Sequence, residues 1–149
     1  MSSTPIKQTD LSTPDNFDIH EYSRFVDSVS SLPTKDSDEL LKVIHRLISL
    51  QEHESLSRLM TGVIGLSSES GEALDIMKKV LFQGKDLDEK TTDHLKKELG
   101  DVIFYWVQAV MALGMKPSEL MELNRAKLEA RFPTGFDVDR SEKRTKTDV

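Results

Sequence analysis

Apolar residues recur along this chain at three- and four-residue intervals, and glycine and proline fall between such stretches, the pattern of amphipathic helices rather than strands. The pattern predicts an all-α protein. A first helix over residues 19–30 carries Tyr22, Phe25 and Val26 on one side and stops before Ser31-Leu32-Pro33. A second, capped by Ser37 or Asp36, carries Leu40, Leu41, Ile44, Leu47 and Ile48 and fades over residues 51–54. A third runs over about 55–82, where Gly84 can take the left-handed conformation that ends helices. A fourth spans about 89–113 and ends at Gly114 in the same way; Pro117 suits the first turn of a fifth, which stops before Pro133. Residues 134–137 read as an ordered turn and 141–149 as a charged tail. The expected organisation is a flexible N-terminal arm over 1–18, a four- to five-helix antiparallel bundle over 19–136 and a charged tail over 137–149.

The fourth helix changes this picture. Val102, Ile103, Phe104, Trp106, Val107, Val110 and Met111 point to every side of its axis, and a helix apolar all round must be covered all round. Four or five helices of one small chain can hardly do that, so a homodimer or a homotetramer built as a dimer of dimers is expected, with this helix in the interface.

Composition narrows the function. At 149 residues the chain has the size of one domain, and a formal charge of -6 gives no basic footprint for a nucleic-acid polymer or an anionic membrane. The absence of cysteine removes disulfides, zinc-thiolate sites and thiol nucleophiles, and suits a cytoplasmic setting, a host cytoplasm if the chain is virus-encoded. The polar stretch over 1–18 reads as neither signal peptide nor membrane anchor.

The chemistry-bearing residues are acidic. Glu69 and Glu72, three apart, project from one face of the third helix together with Gly62, Gly65, Ile76 and Val80; Glu98 and Asp101 repeat the spacing on the fourth beside Leu95, Val102, Tyr105 and Ala109. These are core-facing neighbours. Four carboxylates on packed faces repel one another and lose hydration, at several kcal/mol each, so a cation must compensate. Oxygen ligands without His or Cys select Mg²⁺, with Mn²⁺ as a substitute. Gly62 and Gly65 each cost a helix ~1 kcal/mol relative to alanine, which implies close backbone approach or room for a substrate.

The motif Glu69-Ser70-Gly71-Glu72, 25 intervening residues and Glu98-Leu99-Gly100-Asp101 resembles that of the MazG-like all-α nucleoside triphosphate pyrophosphohydrolases. The stretches from Gly65 to Glu72, Lys97 to Val102 and Asn124 to Pro133 look like family signatures as well, and the resemblance covers roughly residues 56–144. It implies that the four acidic residues bind magnesium, and that the enzyme cuts a nucleoside triphosphate near the α-phosphate to a monophosphate and pyrophosphate. Glu69 and Glu72 are the first candidates to take the proton of the attacking water.

On the fifth helix Asn124, Lys127 and Arg131 share a face with Leu120 and Leu128. A basic last turn can simply complement the helix dipole; with the resemblance, these residues are expected to line the same cavity as the acids and hold phosphate or sugar. Lys79 can reach a phosphate or, like Lys78, form a surface ion pair. Among Tyr105, Trp106, Phe82 and Phe104, Tyr105 is the best placed to stack on a base, one turn after Asp101. His20, His45, His53 and His94 show no ligand spacing, and Ser67, Ser68 and Ser70 lack partners for a nucleophilic triad. A di-iron bundle wants ExxH twice, which neither motif provides. A non-catalytic helical dimer, and a related enzyme for dCTP, dUTP or phosphoribosyl-ATP, stay open; the preference expected is for purine deoxynucleotides such as dGTP.

Overall fold

The structure, a computed structural model, describes residues 18–50 and 55–142. The arm up to residue 17, the fading of the second helix over 51–54 with His53, and the tail from 143 onward lie outside the described residues. The chain divides into two compact units, one up to His45 and one from Arg46.

In the first unit, α1 (Ile19–Val29) is capped by Asp18, whose carboxylate accepts from the His20 amide at 2.8 Å. A single helical turn, α2 (Leu32–Lys35), follows where the sequence predicts only a break. Proline is tolerated there because it sits in the first turn, where its missing N–H leaves no bond unmade. The helix α3 (Ser37–Leu50) runs from this unit into the next. Its cap is Asp36 rather than Ser37: the Asp36 carboxylate accepts from the Asp38 and Glu39 amides at 2.8 and 3.3 Å.

The second unit is built on a pair of long helices, α4 (Leu56–Phe82) and α5 (Glu89–Ala112). Ser55 and Asp88 start them, accepting from the Arg58 and Thr91 amides at 3.2 and 2.8 Å. Gly84, at φ 69°, reverses the chain between them, and the Lys85 amide returns to the Lys79 carbonyl at 3.2 Å to close the helix end. The two helices therefore run antiparallel and pack along their length. Gly62 and Gly65 explain how closely they pack: a Cβ on Gly62 would lie 2.6 Å from the backbone nitrogen of Ala109, and one on Gly65 would enter the Tyr105 ring. The glycines thus serve close approach.

Gly114, also at φ 69°, ends the pair, and α6 (Pro117–Arg131) meets α5 only locally. The Arg131 guanidinium donates to the carbonyls of Arg140 and Ser141, at 3.2 and 2.7 Å, and so clasps α7 (Val138–Glu142), a short helix at the start of the expected tail. Among the described residues the buried hydrophobic side chains are Ile76, Val110 and Ala112. The expected closed bundle is thus represented here by one tight helix pair with α6 at its end. All the elements are helical, and among the described residues no helix is long and apolar enough to cross a membrane.

Candidate active site

The antiparallel pairing brings the two acidic motifs to the same level of α4 and α5. Gly62 opposite Ala109 and Gly65 opposite Tyr105 set the register, and one to two turns further on Glu69 and Glu72 face Glu98. Each of these three carboxylates offers an oxygen within 4.8 Å of the others. Glu98 is buried, at 7% exposure; Glu69 is half-buried and Glu72 exposed. Asp101 is exposed and lies outside this tight group, yet its charge still reaches Glu69.

The electrostatics show what the group lacks. Desolvation holds the Glu69 carboxyl above its usual range, and the charges of Glu72, Asp101 and Glu98 push in the same direction, together with a side-chain hydrogen bond to Glu98. A proton bound more tightly by crowded carboxylates marks a place where a cation is favoured. The three glutamates could hold a divalent ion, and their all-oxygen donor set fits a hard one.

Two clefts open beside the group. One, of ≈ 610 Å³, is lined by Met60, Ile64, Gly65, Glu69 and Tyr105 among others, which puts Tyr105 in the same cleft as the first glutamate. The Phe104 ring meets Tyr105 edge-on at 5.2 Å. Trp106 is half-buried and Phe82 lies exposed at the end of α4. The other cleft, of ≈ 410 Å³, holds Glu72, Asp75, Lys79, Lys85 and His94. Here Lys78 and Lys79 both pair with Asp75, whose hydrogen bonds from Lys78 and then Lys79 lower its pKa to about 2.

The α6 residues are elsewhere. Asn124 lines a separate groove with Met121, Leu128 and Phe132, Lys127 is exposed, and Arg131 is engaged with the α7 backbone and lies over the Phe132 ring. Among the described residues, none of the three lines either cleft beside Glu69 and Glu72. Physically, α6 leaves the helix pair at Gly114 and touches α5 only near its end.

Sequence reasoning missed His94. Its Nε2 lies 2.8 Å from Oε1 of Glu98, one helical turn away on α5. The i, i+4 spacing to the third acid carried that signal, but a search for metal-ligand spacing among histidines alone passes over it.

A pair of antiparallel helices with glutamates turned inward onto a shared cluster defines an all-α protein with a carboxylate site suited to a divalent cation. Residues 51–136 match the MazG nucleotide pyrophosphohydrolase domain, and the chain belongs to that family of hydrolases. It is also similar to the gene 37 protein of Mycobacterium phage L5, at 33% identity over 84 residues, spanning 55% of this chain and 73% of that protein. No solved structure matches it.

Proposed function

We propose that the protein is a Mg²⁺-dependent nucleoside triphosphate pyrophosphohydrolase that converts an NTP or dNTP and water to the monophosphate and pyrophosphate. The observation that carries this reading is the meeting of Glu69, Glu72 and buried Glu98 across α4 and α5, in a chain of the MazG family. Glu69, Glu72, Glu98 and Asp101 would hold the magnesium, with Mn²⁺ as a substitute. When bound, such ions neutralise charge on phosphoryl oxygens and lower the pKa of an attacking water. In the reaction a new bond forms from the water oxygen to the α-phosphorus, the bond to the α,β-bridging oxygen breaks, and pyrophosphate leaves with the electron pair. Glu69 and Glu72 line the two clefts and are the carboxylates we assign to take the water's proton.

The nucleoside would lie in the cleft beside Glu69, its base against Tyr105. At ≈ 610 Å³ that cleft has room for a nucleobase, and purine deoxynucleotides such as dGTP are the substrates we would try first. Lys79 lines the opposite cleft and would face the phosphates. Asn124, Lys127 and Arg131 complete the phosphate site only if a second copy brings its α6 alongside, and a homodimer or homotetramer would do so while covering the exposed apolar side of α5. A cytoplasmic location suits such a substrate.

A panel of NTPs and dNTPs with Mg²⁺, resolved by chromatography, tests the reaction. Monophosphate and pyrophosphate are expected, and release of orthophosphate instead would contradict it. Glu98→Gln and Asp101→Asn should each lower kcat/KM by roughly a hundredfold or more, the scale seen on removing one preorganised electrostatic group, with helicity retained. Full activity in both variants would leave the acidic cluster as a structural cation or partner site.

A further inference from the structure

We propose that Lys85, in the turn between α4 and α5, is a substrate-binding residue whose ammonium holds the two phosphates that leave as pyrophosphate. The inference rests on the reading of the Glu72 cleft as the phosphate side of the site, and adds to it a residue from outside the acidic motifs and the helices that carry them.

Two lysines, Lys79 and Lys85, line the cleft that holds Glu72. Their charges are not equally available. Lys79 is paired with Asp75, which lines the same cleft, so a phosphate drawing on Lys79 must compete with that carboxylate. Lys85 makes no ion pair among the described residues. Its charge reaches Asp88 through space, but that carboxylate is turned to the start of α5, where it accepts from the Thr91 amide at 2.8 Å. In a chain with a formal charge of -6, a cation left over beside the carboxylates is what a polyphosphate would find. A lysine suits the task because its ammonium is a point charge on a flexible stem, able to follow phosphates that project past the metal site.

The turn fixes where that stem starts. Gly84, at φ 69°, reverses the chain, and the Lys85 amide donates to the Lys79 carbonyl at 3.2 Å. The backbone of Lys85 is thereby tied to the last turn of α4, while its side chain is exposed. Lys85 also lines the wider cleft at the start of α5, together with Lys90. Lys90 does not line the cleft of Glu72, and so supplies a control of the same charge in the same neighbourhood.

The test is equilibrium dialysis of the full-length protein against radiolabelled pyrophosphate in the presence of Mg²⁺, a probe that carries no base or sugar. Lys85→Met should weaken pyrophosphate about tenfold, the scale of one hydrogen bond to a charged group, with helicity retained as for an ordinary surface change. Lys85→Arg, which keeps a cation at similar reach, should recover most of that loss, and Lys90→Met should leave the affinity as it is. Unchanged affinity in Lys85→Met overturns the proposal. Equal weakening by Lys85→Met and Lys90→Met overturns it too, because net charge rather than contact would then set the affinity. So does equal loss in the Met and Arg variants of Lys85, since a point charge is all that the role requires. A wild type that binds no pyrophosphate removes the phosphate side of the site, and Lys85 with it. Failure of the hydrolase reading shows separately, as a wild type inert toward every nucleotide of the substrate panel.

Discussion

Glu69 and Asp75 sit less than two turns apart on α4 and respond to acid in opposite senses. Burial first, then Glu72, Asp101 and Glu98, raise the proton affinity of folded Glu69 above its unfolded value of about 4.5, so its contribution to stability is complete below that value and is lost as pH rises through the higher folded pKa. A divalent ion should take the proton's place. Thermal melts of the metal-free protein are therefore expected to show Mg²⁺ or Mn²⁺ raising Tm more at neutral pH than in mild acid. Glu69→Gln should reduce the metal shift and that difference, the other carboxylates still competing with protons for the ion; a metal shift indifferent to pH would count against the cluster as the site. Asp75, lowered to about 2 by Lys78 and Lys79, contributes stability above the ordinary aspartate range that is lost as pH falls toward 2. Asp75→Asn should flatten that acid limb of the melting curve and leave the metal response unchanged. The meeting of Glu69, Glu72 and Glu98 was legible in the sequence because their spacing turns them toward one another across α4 and α5; the exposure of Glu72 and Asp101 was not, since a repeating face does not say how far a helix is covered. The 2.8 Å approach of His94 to Glu98 was harder to see, because an exposed histidine one turn from an acid looks like any surface pair until the burial of its partner is known.

At the scale of elements, the glycines of α4 divide into two kinds that the sequence alone presents as equals. Gly62 and Gly65 face the partner helix, where a Cβ would meet the Ala109 backbone or the Tyr105 ring. Gly71, about half a turn round from that face, has nothing within 4 Å. Gly62→Ala gains ~1 kcal/mol of helix propensity but must spread two backbones, an overpacking cost of about 1–3 kcal/mol, so a net loss of stability is expected. Gly71→Ala keeps the gain alone, up to ~1 kcal/mol. Denaturant titration of the two variants checks the contrast, and equal effects would mean that α4 and α5 are not held this close. The five long helices were readable because apolar spacing and glycine stops are local chemistry, with Gly84 and Gly114 beyond the ends of α4 and α5. The single turn α2 was not, since Pro33 marks equally well a break and a first turn. Nor was the place of α6, which depends on tertiary contacts that a repeating face cannot specify.

At the scale of the whole molecule, the helix pair leaves apolar surface uncovered. With about 100° per residue, Gly100, Ile103, Phe104, Val107 and Met111 form one stripe on α5, away from the acidic cluster. Ile103 and Phe104 are 61% and 55% exposed, and a Cβ on Gly100 would meet nothing within 4 Å. A glycine in mid-helix costs ~1 kcal/mol and here returns no contact among the described residues. If a second copy closes this stripe, as the proposed dimer requires, Gly100 would admit its backbone. Two substitutions turn this into opposite expectations for monomer and dimer. In a monomer, Ile103→Glu is an ordinary surface change, within about 0.5 kcal/mol, and Gly100→Ala stabilises by up to ~1 kcal/mol. In a dimer, Ile103→Glu places a charge where it must be desolvated and Gly100→Ala pushes the subunits apart, so both should lower Tm and shift the protein toward the monomer. Sedimentation velocity across a concentration series, with melts at each concentration, reads both effects. Loss of stability without concentration dependence would mean that the chain's own helices cover the stripe. A wild type that sediments as a stable monomer at micromolar concentration would end the dimer, and with it the delivery of Asn124, Lys127 and Arg131 from a second copy to the carboxylates.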